Sequence, residues 1–380
     1  MNTYKIIVLG ASGSGKTVLL ASMYKRLSIQ RDETSFFLDI DPEQQRILNQ
    51  KYKQIASPGD WPAGTKPTEV SEWNFTCRVQ VPGDLRIYSA LQFTYLDYAG
   101  ERLTDPQGGI SQDDFDNKIK NADAFLGILD GQKILSLMLR KPEGYDFVNG
   151  DLAIILQDMQ RSQNPVHFVI TKWDLLEKQY SLREVRERLL EGDDFREFVR
   201  NRLRKCIVRL IPVSSVGMGF AVLQPDGSMR KIPGAYPKPF QVEMPLACVL
   251  PDKFKAQIDK LREEEEKLRG MSVTTNPNLT FWDRFGMNVG GAVRFMRGFL
   301  TGGYQFGDIL LGTLLKFVES GTRKKIEEAK KEEAQLRLDR ENSLKAVRNE
   351  QTAVEHAITS FLVLVRELER KFPESDFLRF

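Results

Sequence analysis

Along the first two-thirds of the chain, short runs of aliphatic and β-branched residues alternate with longer stretches whose apolar positions recur at helical spacing. The runs Lys5–Leu9, Trp73–Val81, Leu85–Leu96, Ala124–Leu129, His167–Thr171 and Ile207–Val213 predict strands. The stretches Lys16–Leu27, Pro42–Ala56, Gln112–Asn121, Phe147–Gln163 and Leu182–Leu203 predict helices, as does a longer one starting near Pro245. Strand–helix alternation of this kind predicts an α/β fold. Pro82-Gly83-Asp84 lies between the second and third strand runs and predicts a hairpin turn. Asp226-Gly227, followed by Pro233, Gly234, Pro237 and Pro239, predicts a loop or small hairpin ahead of the last helix of this region.

Near residue 250 the pattern changes, which divides the chain into a domain at 1–250 and a helical extension at 251–380. Asp252–Arg269 is a charged helical stretch with an acidic run at Glu263–Glu266, and a proline interrupts Asn276–Leu279. Phe281–Val318 is rich in glycine, aromatic and aliphatic residues. Thr322–Lys371 is one long helical pattern, charged up to Glu350 and apolar around Ile358–Val365. Arg284, Arg294, Arg297 and Asp308 argue against a simple transmembrane helix in 281–318. Two readings of that segment stay open: an interfacial element that inserts aromatics and sets arginines near lipid phosphates, or a surface for packing or self-association. If the final helix pairs with Asp252–Arg269, the segment becomes the tip of a helical hairpin.

Composition narrows the classes. The chain has 380 residues, 41% of them hydrophobic, enough for a substantial core. Its net charge of +3 is the near-cancellation of 55 basic and 52 acidic residues, so a nucleic-acid partner is not expected. Cys77, Cys206 and Cys248 are far apart and form no Cys-x-x-Cys pair, which excludes a disulfide framework or zinc knuckle and suits a reducing, cytoplasmic interior. With His167 and His356 as the only histidines, a histidine metal site is not expected. The first residues lead straight into a strand pattern and do not resemble a signal peptide. No uncharged apolar stretch reaches the roughly 18 residues of a membrane span.

Four motifs carry chemistry. Gly10-Ala11-Ser12-Gly13-Ser14-Gly15-Lys16-Thr17 matches G-x-x-x-x-G-K-[ST] between a predicted strand and a predicted helix, the context that motif requires. Its glycines let backbone N–H groups curl around phosphate oxygens, and the helix N-terminus adds partial positive charge. Lys16 brings a full charge to the outer phosphates, and Thr17 a hydroxyl for Mg²⁺. Asp97-Tyr98-Ala99-Gly100 follows a strand; a carboxylate there can hold Mg²⁺ through water, and Gly100 can turn its N–H towards a terminal phosphate. Thr171-Lys172-Trp173-Asp174 ends a buried strand, and its carboxylate can accept from N1–H and the 2-amino group of guanine, neither of which adenine offers. The Lys172 stem can lie over a base. Ser214-Ser215-Val216 ends the next strand and can set backbone N–H groups near the base oxygen.

In kind and order these four motifs resemble the Ras-like and translation-factor-like P-loop GTPases over about residues 4–250, with a longer gap from Thr17 to Asp97 than a minimal Ras-like domain has. The resemblance implies a mostly parallel sheet flanked by helices, GTP and GDP with Mg²⁺ as ligands, and a switch function. It assigns Thr17, Thr65 and Asp97 to the metal and Lys16, Thr65, Gly100 and Glu101 to hydrolysis, with Thr68 the alternative switch threonine. Glu101 stands where many such proteins have a glutamine that orients water, which implies slow or partner-stimulated turnover. Thr171 and Ser215 replace a more usual asparagine and alanine. Trp61-Pro62-Ala63-Gly64-Thr65 and the long C-terminal helices also resemble the bacterial double-GTPase-type proteins. Two other functions fit the same motifs: a membrane-associated or self-assembling dynamin-like mechanoenzyme working through 281–318, and a GTP-binding scaffold without turnover. A protein effector, or self-association through the C-terminal helices, is the expected macromolecular partner.

Overall fold

The computed structural model describes residues 1–64, 70–83, 86–98, 112–160, 164–256, 310, 314 and 326–379. It is α/β. A seven-stranded sheet runs in the order β2-β3-β4-β1-β5-β6-β7. Its strands are β1 (Thr3–Leu9), β2 (Phe37–Asp39), β3 (Val70–Gln80), β4 (Ile87–Tyr98), β5 (Ala124–Leu129), β6 (Val166–Ile170) and β7 (Val208–Pro212). From β4 to β7 every pairing is parallel, while β2–β3 and β3–β4 are antiparallel. β1 is central, with Val8 opposite Asp97 of β4 on one side and Ile6 opposite Ala124 of β5 on the other.

Period-2 alternation feeds two cores. Ile6 and Val8 of β1 face one, and Ile7 and Leu9 face the other. β5, β6 and β7 are buried at every position, as expected for parallel strands covered on both faces. The second core is covered by α3 (Gln112–Lys120), α4 (Gly131–Met138), α5 (Pro142–Phe147), α6 (Ala153–Gln160), α7 (Leu182–Leu190) and α8 (Asp193–Leu203). The first core takes in α1 (Lys16–Leu27), α2 (Pro42–Ala56), the short α9 (Met244–Ala247) and α10 at 249–256.

Several predicted elements divide differently in the fold. The helix expected at Phe147–Gln163 starts earlier, at a proline-led turn in Pro142–Phe147, and passes through a π-helical turn at Val148–Leu152 before α6. Leu182–Leu203 breaks at Gly192, which caps α8. The edge strand β2 and the helix α4 are additional; Asp130 caps α4 by accepting from the Gln132 N–H. Asp226-Gly227 turns a small antiparallel hairpin, β8 (Ala221–Leu223) with β9 (Met229–Lys231).

The largest difference lies at the C-terminus. The single long helix expected at Thr322–Lys371 is two, α11 (Ile326–Ala346) and α12 (Glu350–Lys371). Asn349 starts α12 with a reciprocal capping box to Thr352. The pairs Arg370–Glu333, Arg337–Glu367 and Ser343–His356 run in opposite directions along the two helices, so they form an antiparallel hairpin. α12 packs on the sheet: Phe361 meets Phe36 edge-on at 4.9 Å and Phe93 at 5.9 Å. Of the aromatic segment, Leu310 and Leu314 are buried in this same core, and the rest of 281–318 lies outside the described residues. Most of Asp252–Arg269 lies outside them too, with the expected pairing of that helix. Among the described residues no helix is long and apolar enough to cross a membrane. The three cysteines are free and buried.

Candidate functional site

The loop after β1 is shaped by glycine where a side chain cannot go. A Cβ on Gly10 would stand 2.9 Å from the Ile128 Cβ and 3.0 Å from the Ser14 Oγ. Gly13 and Gly15 have φ of +75° and +89°, the left-handed region that favours glycine. Gly15 caps α1, and no side chain bonds to that helix start. The first-turn N–H groups are thus available to an anion, and the helix dipole adds to their pull. Lys16 is 7% exposed. Its Nζ curls back to donate to Gly10 O at 2.6 Å and Ala11 O at 3.0 Å. Burial depresses the pKa of its ammonium group, and the charge of Asp97 works against that shift. Asp97 is 2% exposed, next to the final residue of β4.

The segment after β6 braces this loop. Thr171 N–H donates to Leu129 O, and Trp173 N–H donates to Val213 O, which seats the segment between the ends of β5 and β7. The Thr171 hydroxyl donates to Ser14 O at 2.6 Å. Lys172, at φ +50°, sends its Nζ to Gly13 O at 3.1 Å and to Asp130 at 2.9 Å. A Cβ on Gly131 would stand 2.1 Å from Thr171 O, so the start of α4 requires glycine to come this close. Asp174 accepts from the Ser214 hydroxyl, and Ser214 Oγ accepts in turn from the Gly217 N–H at 2.8 Å. Burial raises the pKa of the Asp174 carboxyl, with the Ser214 bond opposing. A carboxylate oxygen has more than one lone pair, so this bond leaves acceptor capacity for a ligand.

The loop and the strand ends line one cavity of about 540 Å³, within the usual range for small-molecule sites; Gly10 and Asp97 are not among its lining residues. It opens at the C-terminal ends of the parallel strands, where the chain passes from one side of β1 to the other, the place where open α/β sheets bind ligands. Ser12, Gly13, Ser14, Gly15, Lys16 and Thr17 contribute from the loop, and Thr171, Lys172, Asp174, Ser215 and Val216 from the strand ends. Ser214 is instead 1% exposed and supports Asp174 from behind, so its part is indirect. Thr65, Gly100 and Glu101 lie outside the described residues, as does Thr68. The cavity also has contributors that motif reading passes over: Asp130 and Gln132 beside Lys172, Trp61, Pro62 and Gly64 after α2, and Gly227 and Met229 from the β8–β9 hairpin. Asp130-Gly131 at a strand end carries a faint local signal, an aspartate cap followed by glycine. Trp61 and Met229 are 168 positions apart and carry none.

Among the described residues no group of three or more His, Cys, Asp or Glu side chains can hold a metal alone. A cation here would need ligand oxygens beyond Asp97 and the Thr17 hydroxyl. That suits Mg²⁺, which is held through one or two carboxylates together with phosphate oxygens and water. No protein-family model matches the chain, and no curated protein matches it.

Proposed function

We propose that this chain is a Mg²⁺-dependent guanine-nucleotide-binding protein of the P-loop GTPase kind, which hydrolyses GTP slowly or with help from a partner. The observation that carries the reading is the cavity itself: a glycine-rich loop with Lys16 and a half-buried, hydroxyl-anchored Asp174 line the same space. The loop offers N–H groups and an ammonium to phosphates. Asp174 offers a fixed acceptor to a base with two adjacent donors. Mg²⁺, when bound, would neutralise charge on the phosphates; Thr17 and Asp97 are the residues that would hold it. Lys172 and Thr171 tie the base-reading segment to the phosphate loop, so both ends of a nucleotide meet one braced unit.

The test is a comparison of GTP, ATP and xanthosine triphosphate. Wild type should prefer GTP over ATP in Mg²⁺, and phosphate release from GTP should be measurable and slow. Asp174→Asn should lose GTP affinity by about 100-fold, the order expected when a charged acceptor of paired donors is removed, and should gain xanthosine triphosphate. Equal affinity of wild type for GTP and ATP, or an Asp174→Asn variant with unchanged GTP affinity, would remove the guanine assignment.

A further inference from the structure

The phosphate loop and strand ends make only part of the cavity. A second wall is built from segments far apart in the chain and held by its own bonds. The chain leaves α2 at Ser57, where the last helical carbonyls lack partners within the helix. Lys231, at the end of β9, supplies one of them and ties down the chain beyond: its Nζ donates to Gln54 O at 2.7 Å, and past the helix to Ser57 O at 2.9 Å and Asp60 O at 3.1 Å. The same ammonium stands 4.9 Å above the Trp61 ring. The Trp61 indole N–H donates to Met229 O at 2.7 Å, and its ring meets Phe220 edge-on at 6.1 Å. Beneath them Ala21, Ile55, Val216, Phe220 and Ala221 form an apolar cluster separate from both faces of the sheet. From the α4 side, Gln132 Nε2 donates to Gly227 O at the hairpin tip, at 3.0 Å. The β8–β9 hairpin is thus fastened to α2 on one side and to α4 on the other.

The inner surface of this unit is apolar where the rest of the cavity is polar. Trp61, Pro62, Val216 and Met229 all line it. A nucleotide whose phosphates lie in the loop still presents a ribose and the flat face of a base, and both favour apolar and aromatic contact. Resting on the nucleotide reading above, we propose that Trp61 and Met229 form the wall against which the nucleoside packs. Lys231 is a positioning residue that fixes Trp61, and the β8–β9 hairpin sets the rate of nucleotide release. Asp174 keeps the choice of base; the wall governs residence time.

The experiment follows dissociation of N-methylanthraniloyl-labelled GDP from the full chain after excess GDP is added, with tryptophan emission as a second readout. Trp61→Ala and Lys231→Ala should each release the nucleotide about 10-fold faster or more, with the GTP-over-ATP preference kept. Lys231→Arg, which can still donate to several carbonyls, should recover most of the slow release. With Trp282 replaced by Phe in every protein compared, emission should change on GDP binding, and Trp61→Phe should remove that change; Trp73 and Trp173 are buried, 7% and 2% exposed, and keep their signal. Release within about twofold of wild type in both alanine variants, or an emission change that survives in Trp61→Phe, overturns the proposal. Should either alanine variant fail to fold, Gln132→Met keeps a side chain of similar length on the cavity lining and removes the donor to Gly227 O; several-fold faster release supports the wall and unchanged release overturns it. A wild type that binds no labelled GDP would instead fell the nucleotide reading and this inference with it, an outcome distinct from a binding protein whose variants release normally.

Discussion

At the beginning of β6 and β7, His167 and Arg209 stand side by side in register; at the ends of the same strands come Thr171–Asp174 and Ser214–Val216. The early pair is closed in. Arg209 is fully buried, bonds Asp252 through two nitrogens and reaches Glu369 Oε1 at 3.1 Å, while His167 Nε2 meets Asp252 at 2.9 Å. Arg366 adds a bond to Glu369, and Lys255 pairs with Asp376 nearby. Burial disfavours the Arg209 charge, yet Asp252 and Glu369 outweigh it and raise its pKa well above the ordinary value. For Asp252 burial pushes the carboxyl up, and Arg209 with His167 brings it down below the usual range. Of the late groups, Thr171, Lys172, Asp174, Ser215 and Val216 line a cavity instead, and its charges are steadied by backbone carbonyls and a serine. Charges matched to one another in the interior hold α10, α12 and the C-terminal turn to the sheet. Charges steadied by the backbone at a cavity wall remain available to a ligand.

The sharpest way to break this contrast is at Arg209. Arg209→Met removes the guanidinium that Asp252 and Glu369 share, leaving Asp252 with His167 and Glu369 with Arg366, and should cost about 3–5 kcal/mol in chemical denaturation. The relative affinities for GTP and ATP of the protein that remains folded should match those of wild type. A loss below about 1 kcal/mol would mean that the network does not hold the C-terminal helices. Lys16→Met tests the opposite end. It should weaken GTP binding by about 3 kcal/mol, roughly 100-fold by calorimetry, while the melting temperature of the nucleotide-free protein stays level or rises because a desolvated ammonium is gone. If binding survives and stability falls instead, Lys16 belongs with Arg209 as a structural charge.

His356 sharpens the comparison through pH. It is buried between Ser35 O and the Ser343 hydroxyl, and burial pushes its imidazole down to about 4 from 6.5, with the Ser35 bond opposing. The unfolded chain therefore binds this proton more readily. The stability tied to neutral His356 is complete above about pH 6.5 and is lost as pH falls towards 4, by about 3 kcal/mol. His356→Gln should flatten that part of the stability–pH curve; an unaltered slope would place the acid sensitivity elsewhere. The smallest effect is expected at the brace. Thr171→Val keeps the shape but removes the donor to Ser14 O, and should weaken nucleotide binding about fivefold to tenfold with little change in base preference. A change in base preference would make Thr171 a base contact.

Local pattern by itself determined the chemistry-bearing ends of the strands. The Gly10–Thr17 loop, Asp97 and Thr171–Asp174 are each a few contiguous residues whose side-chain types and spacing state their own requirements, and β1, β5, β6 and β7 are legible because burial on both faces favours near-continuous apolar runs, which His167 and Arg209 interrupt only once each in β6 and β7. The breaks at Gly192 and Asn349 were less legible, because helical spacing continues across them and only a cap, set by where the next helix packs, decides the stop. The rest is a matter of distance along the chain. Ser214 serves Asp174, Lys231 serves Trp61, and α12 lies on β3 and β4 rather than apart from them. Each of these joins residues whose local sequences are ordinary. A hydrogen bond or an apolar face says that a partner is required, not which distant segment supplies it. That choice falls to the packing of the whole chain, which alone turns the second wall towards the phosphate loop and encloses the cavity.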